Sequence, residues 1–312
     1  MDVVFCGTPQ FAVPTLSALA AAGHNIQLVV SQPDRPSGRG QQLAVPAVKQ
    51  RALELKIPVT QPQAIKNNAE FRAQLEKLRP QAIIVVAYGR IIPQWMIDLP
   101  PLGNLNAHAS LLPKYRGAAP IQWAIASGET VTGVTTMRID AGLDTGDMLL
   151  RSEIPISPDD TAVTLSPKLA ELGAALMVET VQRLEAGKLT PTPQDHSCAT
   201  LAPILKKEDG RIEFSRTAQE IHNRLRGFQP WPGAFTTFRG RSLAVVSARP
   251  LPPGSELAPP GRIRLLDNKL LVGAARDTSL EIVELQPEGK KKMSAADFIN
   301  GYKPKSGEAF GS

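Results

Sequence analysis

An amide and an imidazole stand two positions apart in Asn104-Leu105-Asn106-Ala107-His108-Ala109-Ser110-Leu111-Leu112-Pro113. Leu105 and Ala107 alternate with Asn106 and His108, which is the period of a β-strand. The two polar side chains therefore project side by side from one face. Pro113 has no N–H to give a neighbour, so a central strand ends before it. An amide can stabilise an oxyanion as it develops, and an imidazole can accept or share a proton near neutral pH. Together they suit chemistry at a carbonyl carbon. A third group, to orient the imidazole, is sought in residues 140–147, Asp-Ala-Gly-Leu-Asp-Thr-Gly-Asp. This acidic stretch lies between two apolar, β-rich runs, Val131–Ile139 and Met148–Ile156, and so reads as a loop joining strands. Taken singly, Asn-x-His also fits an ordinary hydrogen-bonded pair, and the acidic loop a solvated turn. Spacing alone leaves open whether the two meet.

The elements that must position these groups follow from the flanking patterns. Val3–Cys6 is a strand, Gly7–Gln10 a turn, Phe11–Ala22 a helix stopped by Gly23, and Ile26–Val30 a second strand. This βαβ opening predicts an α/β fold with a parallel sheet. The first turn has one glycine, so the dinucleotide fingerprint is missing, which argues against NAD. Helices are predicted over 47–56, 67–77 and 120–126, with Val59 in a short strand. Ala82–Val86 is a continuous apolar run, as a central parallel strand requires. Residues 87–93 follow at its carboxyl end, where open α/β sheets bind ligands, so Tyr88, Gly89 and Ile91 are candidate pocket residues; a plain connection is the alternative. A long helix runs from Ala162 to about Ala186, with Asp159-Asp160-Thr161 as its N-cap. Residues 31–46 read as a long Pro- and Gly-rich loop carrying Arg35 and Arg39. Arg39 lies between two glycines, so a mobile backbone suited to phosphate or base contacts is expected there, a plain surface loop being the alternative.

Pro191, Pro193 and Pro203 mark a linker over 190–206, between a first domain at 1–189 and a second at 207–312. Beyond it come a helix near 217–226 and short strands at 234–238, 242–248, 262–266, 269–272 and 279–285, punctuated by turns, which predict a small β-barrel. Residues 1–189 hold 17 Lys+Arg against 16 Asp+Glu, whereas residues 190–312 hold 18 against 13, so most of the net charge of +6 sits in the C-terminal part. Arg239, Arg241, Arg262, Arg264 and Lys290-Lys291-Lys292 make the barrel basic, and a basic barrel is a common nucleic-acid module. Aromatic residues are few, so contact with a phosphate backbone is expected over base stacking. The chain has 312 residues, 42% hydrophobic and 21% charged, the proportions of a soluble globular protein of two domains. No apolar run approaches the ~20 residues of a membrane span. The N-terminus enters a strand at once, without the features of a signal peptide, and the two cysteines have no ligand spacing. A reduced, cytoplasmic setting is expected.

Asn106-x-His108, Ser110-Leu111-Leu112-Pro113, Arg116-Gly117-Ala118-Ala119-Pro120-Ile121 and Gly142-Leu143-Asp144-Thr145-Gly146-Asp147 together resemble the methionyl-tRNA formyltransferase family. Gln32–Gly40 resembles that family's tRNA-contacting loop. Phe228-Gln229-Pro230-Trp231-Pro232 and Gly289–Ala295 resemble its C-terminal domain, so the likeness covers nearly the whole chain. It implies a Rossmann-like catalytic domain followed by a smaller OB-like barrel. It also implies formyl transfer from 10-formyltetrahydrofolate, as co-substrate, to the α-amine of initiator methionyl-tRNA. Carried onto these positions, Asn106 holds the formyl oxygen, His108 assists proton transfer and Asp144 holds the ring of His108. Ser110, Leu111, Leu112 and Pro113 contact the folate, with Tyr88, Gly89, Ile91 and Asp140 walling its pterin. Arg35, Arg39, Lys206, Lys207, Lys290, Lys291 and Lys292 contact tRNA. No metal, no membrane and a monomer are expected. Lys114-Tyr115 stands where the family pattern has Arg-Trp, and Gln41-Gln42 where it has lysines. A formyltransferase for a small amine, and a tRNA-binding module without activity, are the alternatives; the first would need no basic second domain.

Overall fold

The computed structural model describes residues 1–37, 42–252 and 258–311, so Arg39 lies outside the described residues. Two compact units result. The first comprises Met1–Pro120, Val131–Pro155 and Ser166–Ala202, and the second Ile121–Thr130, Ile156–Leu165 and the chain from Pro203 onward.

The first unit carries β1 (Asp2–Gly7), β2 (Asn25–Val30), β3 (Arg35–Ser37), β4 (Gln42–Ala44), β5 (Val59–Thr60), β6 (Ala82–Val86), β7 (Asn104–His108), β8 (Val131–Arg138) and β9 (Met148–Pro155). Seven of these form one sheet in the order β5-β2-β1-β6-β7-β8-β9, parallel from β5 to β7 and antiparallel thereafter. All five residues of β6 are buried, as its apolar run requires of a strand covered on both faces. From β1 the chain first adds β2 on one side and later β6 on the other. The carboxyl ends of β1 and β6 therefore flank the crevice where such sheets bind ligands, and the Thr8 hydroxyl bonds the Tyr88 carbonyl across it at 3.2 Å. The helices of this half are α1 (Val13–Ala21), α2 (Ala47–Glu54), α3 (Ala69–Leu78) and α4 (Gln94–Ile97); α5 (Pro120–Ala126) falls almost wholly in the second unit, and α6 (Ala162–Glu185) belongs to the first from Ser166 onward. Leu169, Met177 and Val181 of α6 are fully buried on one helical stripe, and Thr180 bonds Thr136 of β8 at 2.8 Å.

Two stretches differ from the sequence expectation. Part of the 31–46 loop is extended, β3 paired antiparallel with β4. Strands of three residues beside Pro and Gly leave no alternation to detect. Residues 190–202, expected as part of a linker, are built into the first unit: Thr192 bridges Met148, and Leu201 bridges Arg116. Their prolines suit these irregular single bridges, which is why composition alone suggested a tether.

The second unit contains α7 (Ala218–Gly227), β10 (Phe235–Phe238), β11 (Arg241–Pro250), β12 (Ile263–Leu266), β13 (Lys269–Ala274), β14 (Thr278–Pro287), β15 (Met293–Ser294) and α8 (Ala295–Tyr302). The antiparallel sheet runs β10-β11-β14-β13-β12, with β15 on β14. Its two edges are joined by residues 307–311. Glu308 accepts from the Ile263 N–H at 2.7 Å and Gly311 donates to Thr237 at 2.9 Å, which closes the sheet in the manner of a barrel. The tail is too short and glycine-flanked to read as a strand. Segments 121–130 and 156–165 join this unit because Trp123 packs edge-on against Phe228 at 5.2 Å, and the Arg226 guanidinium donates to the carbonyls of Asp160 and Ser157 at 2.6 and 3.3 Å. Space thus divides the chain at more than one cut.

Phe298, fully buried, lies between Phe238 (5.4 Å) and Tyr302 (4.7 Å) in this core. Phe298→Ala is expected to cost about 3–5 kcal/mol, read as an earlier urea midpoint for the second unit. An unchanged midpoint would contradict this packing.

Candidate active site

Strand β7 presents Asn106 and His108 on the same face, as alternation requires. Asn106 pairs across the sheet with Val85 and Met137, and His108 with Thr135. The Asn106 amide is half-buried and makes no hydrogen bond to another described residue, so its N–H groups are available. The His108 ring is 5% exposed. Its Nε2 lies 2.9 Å from the carbonyl of Tyr115, and its Nδ1 lies 3.5 Å from Asp144 Oδ2. A carbonyl can only accept, so Nε2 carries the proton. Nδ1 thus faces the Asp144 carboxylate. Asp144 Oδ2 also accepts from the Gly117 N–H at 2.9 Å.

The residues expected to line the donor pocket divide. Ile91 is 91% exposed and Leu143, in the acidic turn, 61%, so both offer apolar surface. Gly89, at φ 77°, is exposed and turns the chain after β6. Tyr88 is different: its side chain belongs to the core around Val85, Phe71 and Met96, and burial pushes its phenol well above the usual range. The positive φ of Ala87, 46°, reverses the side-chain direction expected from the strand. Only the Tyr88 main chain faces the crevice, and its carbonyl is taken by Thr8 and Gln32. Ser110 is buried, its hydroxyl bonding the Lys114 carbonyl at 2.6 Å, and Leu112 is buried with its N–H on Thr135. These two shape the loop, while Leu111 and Pro113 are half-buried. Asp140 spends its carboxylate on closing the acidic turn, accepting from Thr145 Oγ1 at 2.7 Å and the Gly142 N–H at 3.0 Å.

Of the basic residues, Arg35 is exposed and donates to Gln32. Lys206, Lys207, Lys290, Lys291 and Lys292 are all exposed and lie in the second unit. Arg239 is consumed by the fold: it pairs with Glu308 at 2.9 Å and donates to the Tyr302 carbonyl at 3.1 Å. Arg241 and Lys290, in no ion pair among the described residues, border a cleft of about 380 Å³ whose walls include Leu243, Pro287 and Tyr302. No group of three or more His, Cys, Asp and Glu among the described residues is arranged to hold a metal ion.

Sequence reasoning missed Gln194, which is 5% exposed. Its Nε2 donates to the carbonyls of Asp144 and Gly146 at 2.9 and 2.7 Å. A lone Gln in a Pro-rich stretch carries no signal. Arg116, 6% exposed and bonded to Gln194, stood inside a motif but without a role.

A mixed sheet with this cluster at the carboxyl end of its parallel strands, followed by a closed antiparallel sheet, is the fold of the formyl transferases. The formyl transferase family matches residues 1–181, and the formyl transferase C-terminal domain residues 204–303. The methionyl-tRNA formyltransferase of Koribacter versatilis is 65% identical, covering 100% of this chain and 99% of that relative. That of Acidobacterium capsulatum is 62% identical, covering 96% of each. The chain belongs to the methionyl-tRNA formyltransferase family. An N-formyltransferase from Helicobacter canadensis, solved with folinic acid and dTDP-3-aminofucose, shares the fold at TM-score 0.67 and 18% identity, over 92% of this chain and 99% of its own.

Proposed function

We infer that this chain transfers a formyl group from 10-formyltetrahydrofolate to the α-amine of methionine on initiator methionyl-tRNA. The observation that carries the chemistry is the meeting of the His108 ring with the Asp144 carboxylate, two residues along β7 from the Asn106 amide. The acceptor comes from the full-length likeness to methionyl-tRNA formyltransferases.

The amine lone pair attacks the formyl carbon, and the carbonyl electrons move to oxygen. Asn106 donates to that oxygen, and the interaction strengthens as charge develops. The proton leaving the amine goes to the His108–Asp144 pair, closing the gap at Nδ1 as an imidazolium–carboxylate contact. Collapse breaks the bond from carbon to N10 of the folate, and N10 takes up the proton that the His108–Asp144 pair received, which returns the pair to its starting state. Ile91 and Leu143 offer apolar walls for the flat pterin. Residues 1–189 supply the chemistry and residues 207–312 hold tRNA, with Arg35, Arg39, Lys206, Lys207 and Lys290–Lys292 facing phosphates. One chain provides the whole proton-transfer cluster, so a monomer suffices, and an acceptor used in translation implies work in the cytoplasm. Among the described residues, no helix is long and apolar enough to cross a membrane.

The exposed pair Arg241 and Lys290 gives a direct test of the macromolecular acceptor. Reversing both charges (Arg241→Glu, Lys290→Glu) is expected to raise KM for Met-tRNA by about tenfold and to lower the salt dependence of binding by about one unit of log–log slope per residue. KM for the formyl donor should not change. A salt slope equal to that of the parent would argue for a small amine acceptor instead.

A further inference from the structure

We propose that Gln194 is a positioning residue for formyl transfer, acting with Arg116 to hold the Asp144 turn against the imidazole of His108. This rests on the roles inferred above for His108 and Asp144.

Asp144 sits at φ 52°, in the left-handed region that L residues with a side chain adopt only when their surroundings require it. Gln194 supplies that requirement. Its two N–H groups hold the carbonyls of Asp144 and Gly146, on either side of Thr145. Its Oε1 accepts from Arg116 Nε and Nη2 at 3.0 and 2.6 Å. Both donors and both lone pairs of the amide are thereby used. Turning the amide over would set oxygen against two carbonyls and N–H against a guanidinium, so one orientation is enforced.

Arg116 is held in turn. Its N–H donates to the Thr200 carbonyl at 2.9 Å, and its carbonyl accepts from Ala202 at 2.7 Å. Its Nη1 lies 3.2 Å from His196 Nδ1. The flanking residues reach the reacting cluster: Tyr115 offers its carbonyl to His108, and Gly117 its N–H to Asp144. Gly117 stands at φ 122°, and a Cβ there would meet the Ala202 carbonyl oxygen at 2.7 Å, so no other residue fits without a shift. Residues 115–117 thus touch the imidazole, Gln194 and the carboxylate in sequence. The buried Arg116 guanidinium bonds the Gln194 amide oxygen and faces His196 Nδ1, with no carboxylate paired to it among the described residues, an arrangement costly to stability and therefore poorly explained by stability alone.

The test uses Gln194→Glu, which preserves volume and gives Arg116 a carboxylate partner while removing both donors to the Asp144 turn. The variant is expected to fold, with near-ultraviolet circular dichroism matching the parent's. Its kcat for Met-tRNA formylation should fall about 10-fold to 100-fold, since small displacements of reacting groups carry losses of this size. KM for donor and for tRNA should stay within twofold. In ¹⁵N-labelled enzyme the His108 ring signals, Nε2-protonated in the parent, should shift or broaden. A role confined to stability would move the midpoint and leave kcat and the His108 signals alone. Asp144→Asn is measured in parallel. If it retains full turnover, the assignment of the cluster falls, and this inference with it. If Asp144→Asn is slow while folded Gln194→Glu keeps parental kcat and His108 signals, the assignment stands and the positioning role is overturned.

Discussion

His108→Ala is expected to lower kcat by about 10²-fold to 10⁴-fold, the range for losing a positioned proton acceptor. In the parent the ring is buried, its Nε2 on the Tyr115 carbonyl and its Nδ1 facing Asp144. Removing it leaves the proton of the attacking amine without a recipient and Asp144 without the group it faces. Truncating a buried ring also leaves a cavity, so lost activity alone could reflect lost fold. His108→Asn separates the two, because its amide places a donor where Nδ1 faces Asp144 but has no group that accepts a proton near neutral pH. Both variants should be slow, with KM for the formyl donor little changed and with near-ultraviolet circular dichroism of His108→Asn matching the parent. Turnover of His108→Asn within threefold of the parent would remove His108 from the proton path.

Asn106→Ala is expected to raise the barrier by roughly 2.7–4 kcal/mol, a fall in kcat of about 10²- to 10³-fold, if its amide donates to the formyl oxygen in the transition state. The structure makes this substitution clean. The amide is half-buried and bonded to no other described residue, so truncation breaks no side-chain hydrogen bond among them. Thermal stability should change little, and the loss should appear in kcat more than in KM, because the oxygen gains charge only as the amine adds. Parental turnover would exclude Asn106 as the oxyanion donor. A rise in KM alone would recast it as a ground-state contact.

How much of this was legible in the residues depended on range. Asn106 and His108 share a face because a strand alternates with period two, and that is local. The central strand β6, the long helix α6 and five barrel strands were likewise visible as runs and periods. Tyr88 was a pocket candidate by its place after the strand, and a left-handed turn at Ala87 sends its side chain into the core instead, which no local pattern announces. Asp140 was read as a wall of the donor pocket, yet its carboxylate closes its own turn. The approach of Asp144 to His108 and of Gln194 to Arg116 spans 36 and 78 residues respectively. Such contacts follow from packing that no spacing encodes. The resemblance named Asp144, but a glutamine in a proline-rich stretch looked like tether. It is instead part of the frame that holds the cluster.

Incubating the purified protein with Met-tRNA and 10-formyltetrahydrofolate, then releasing and weighing the amino acid, reads the reaction directly. The expected product is N-formylmethionine, formed with one tetrahydrofolate per formyl group transferred and strongly diminished in Asn106→Ala. Folded protein that leaves methionine unmodified on its tRNA, with formyl donor present and intact, would contradict the account.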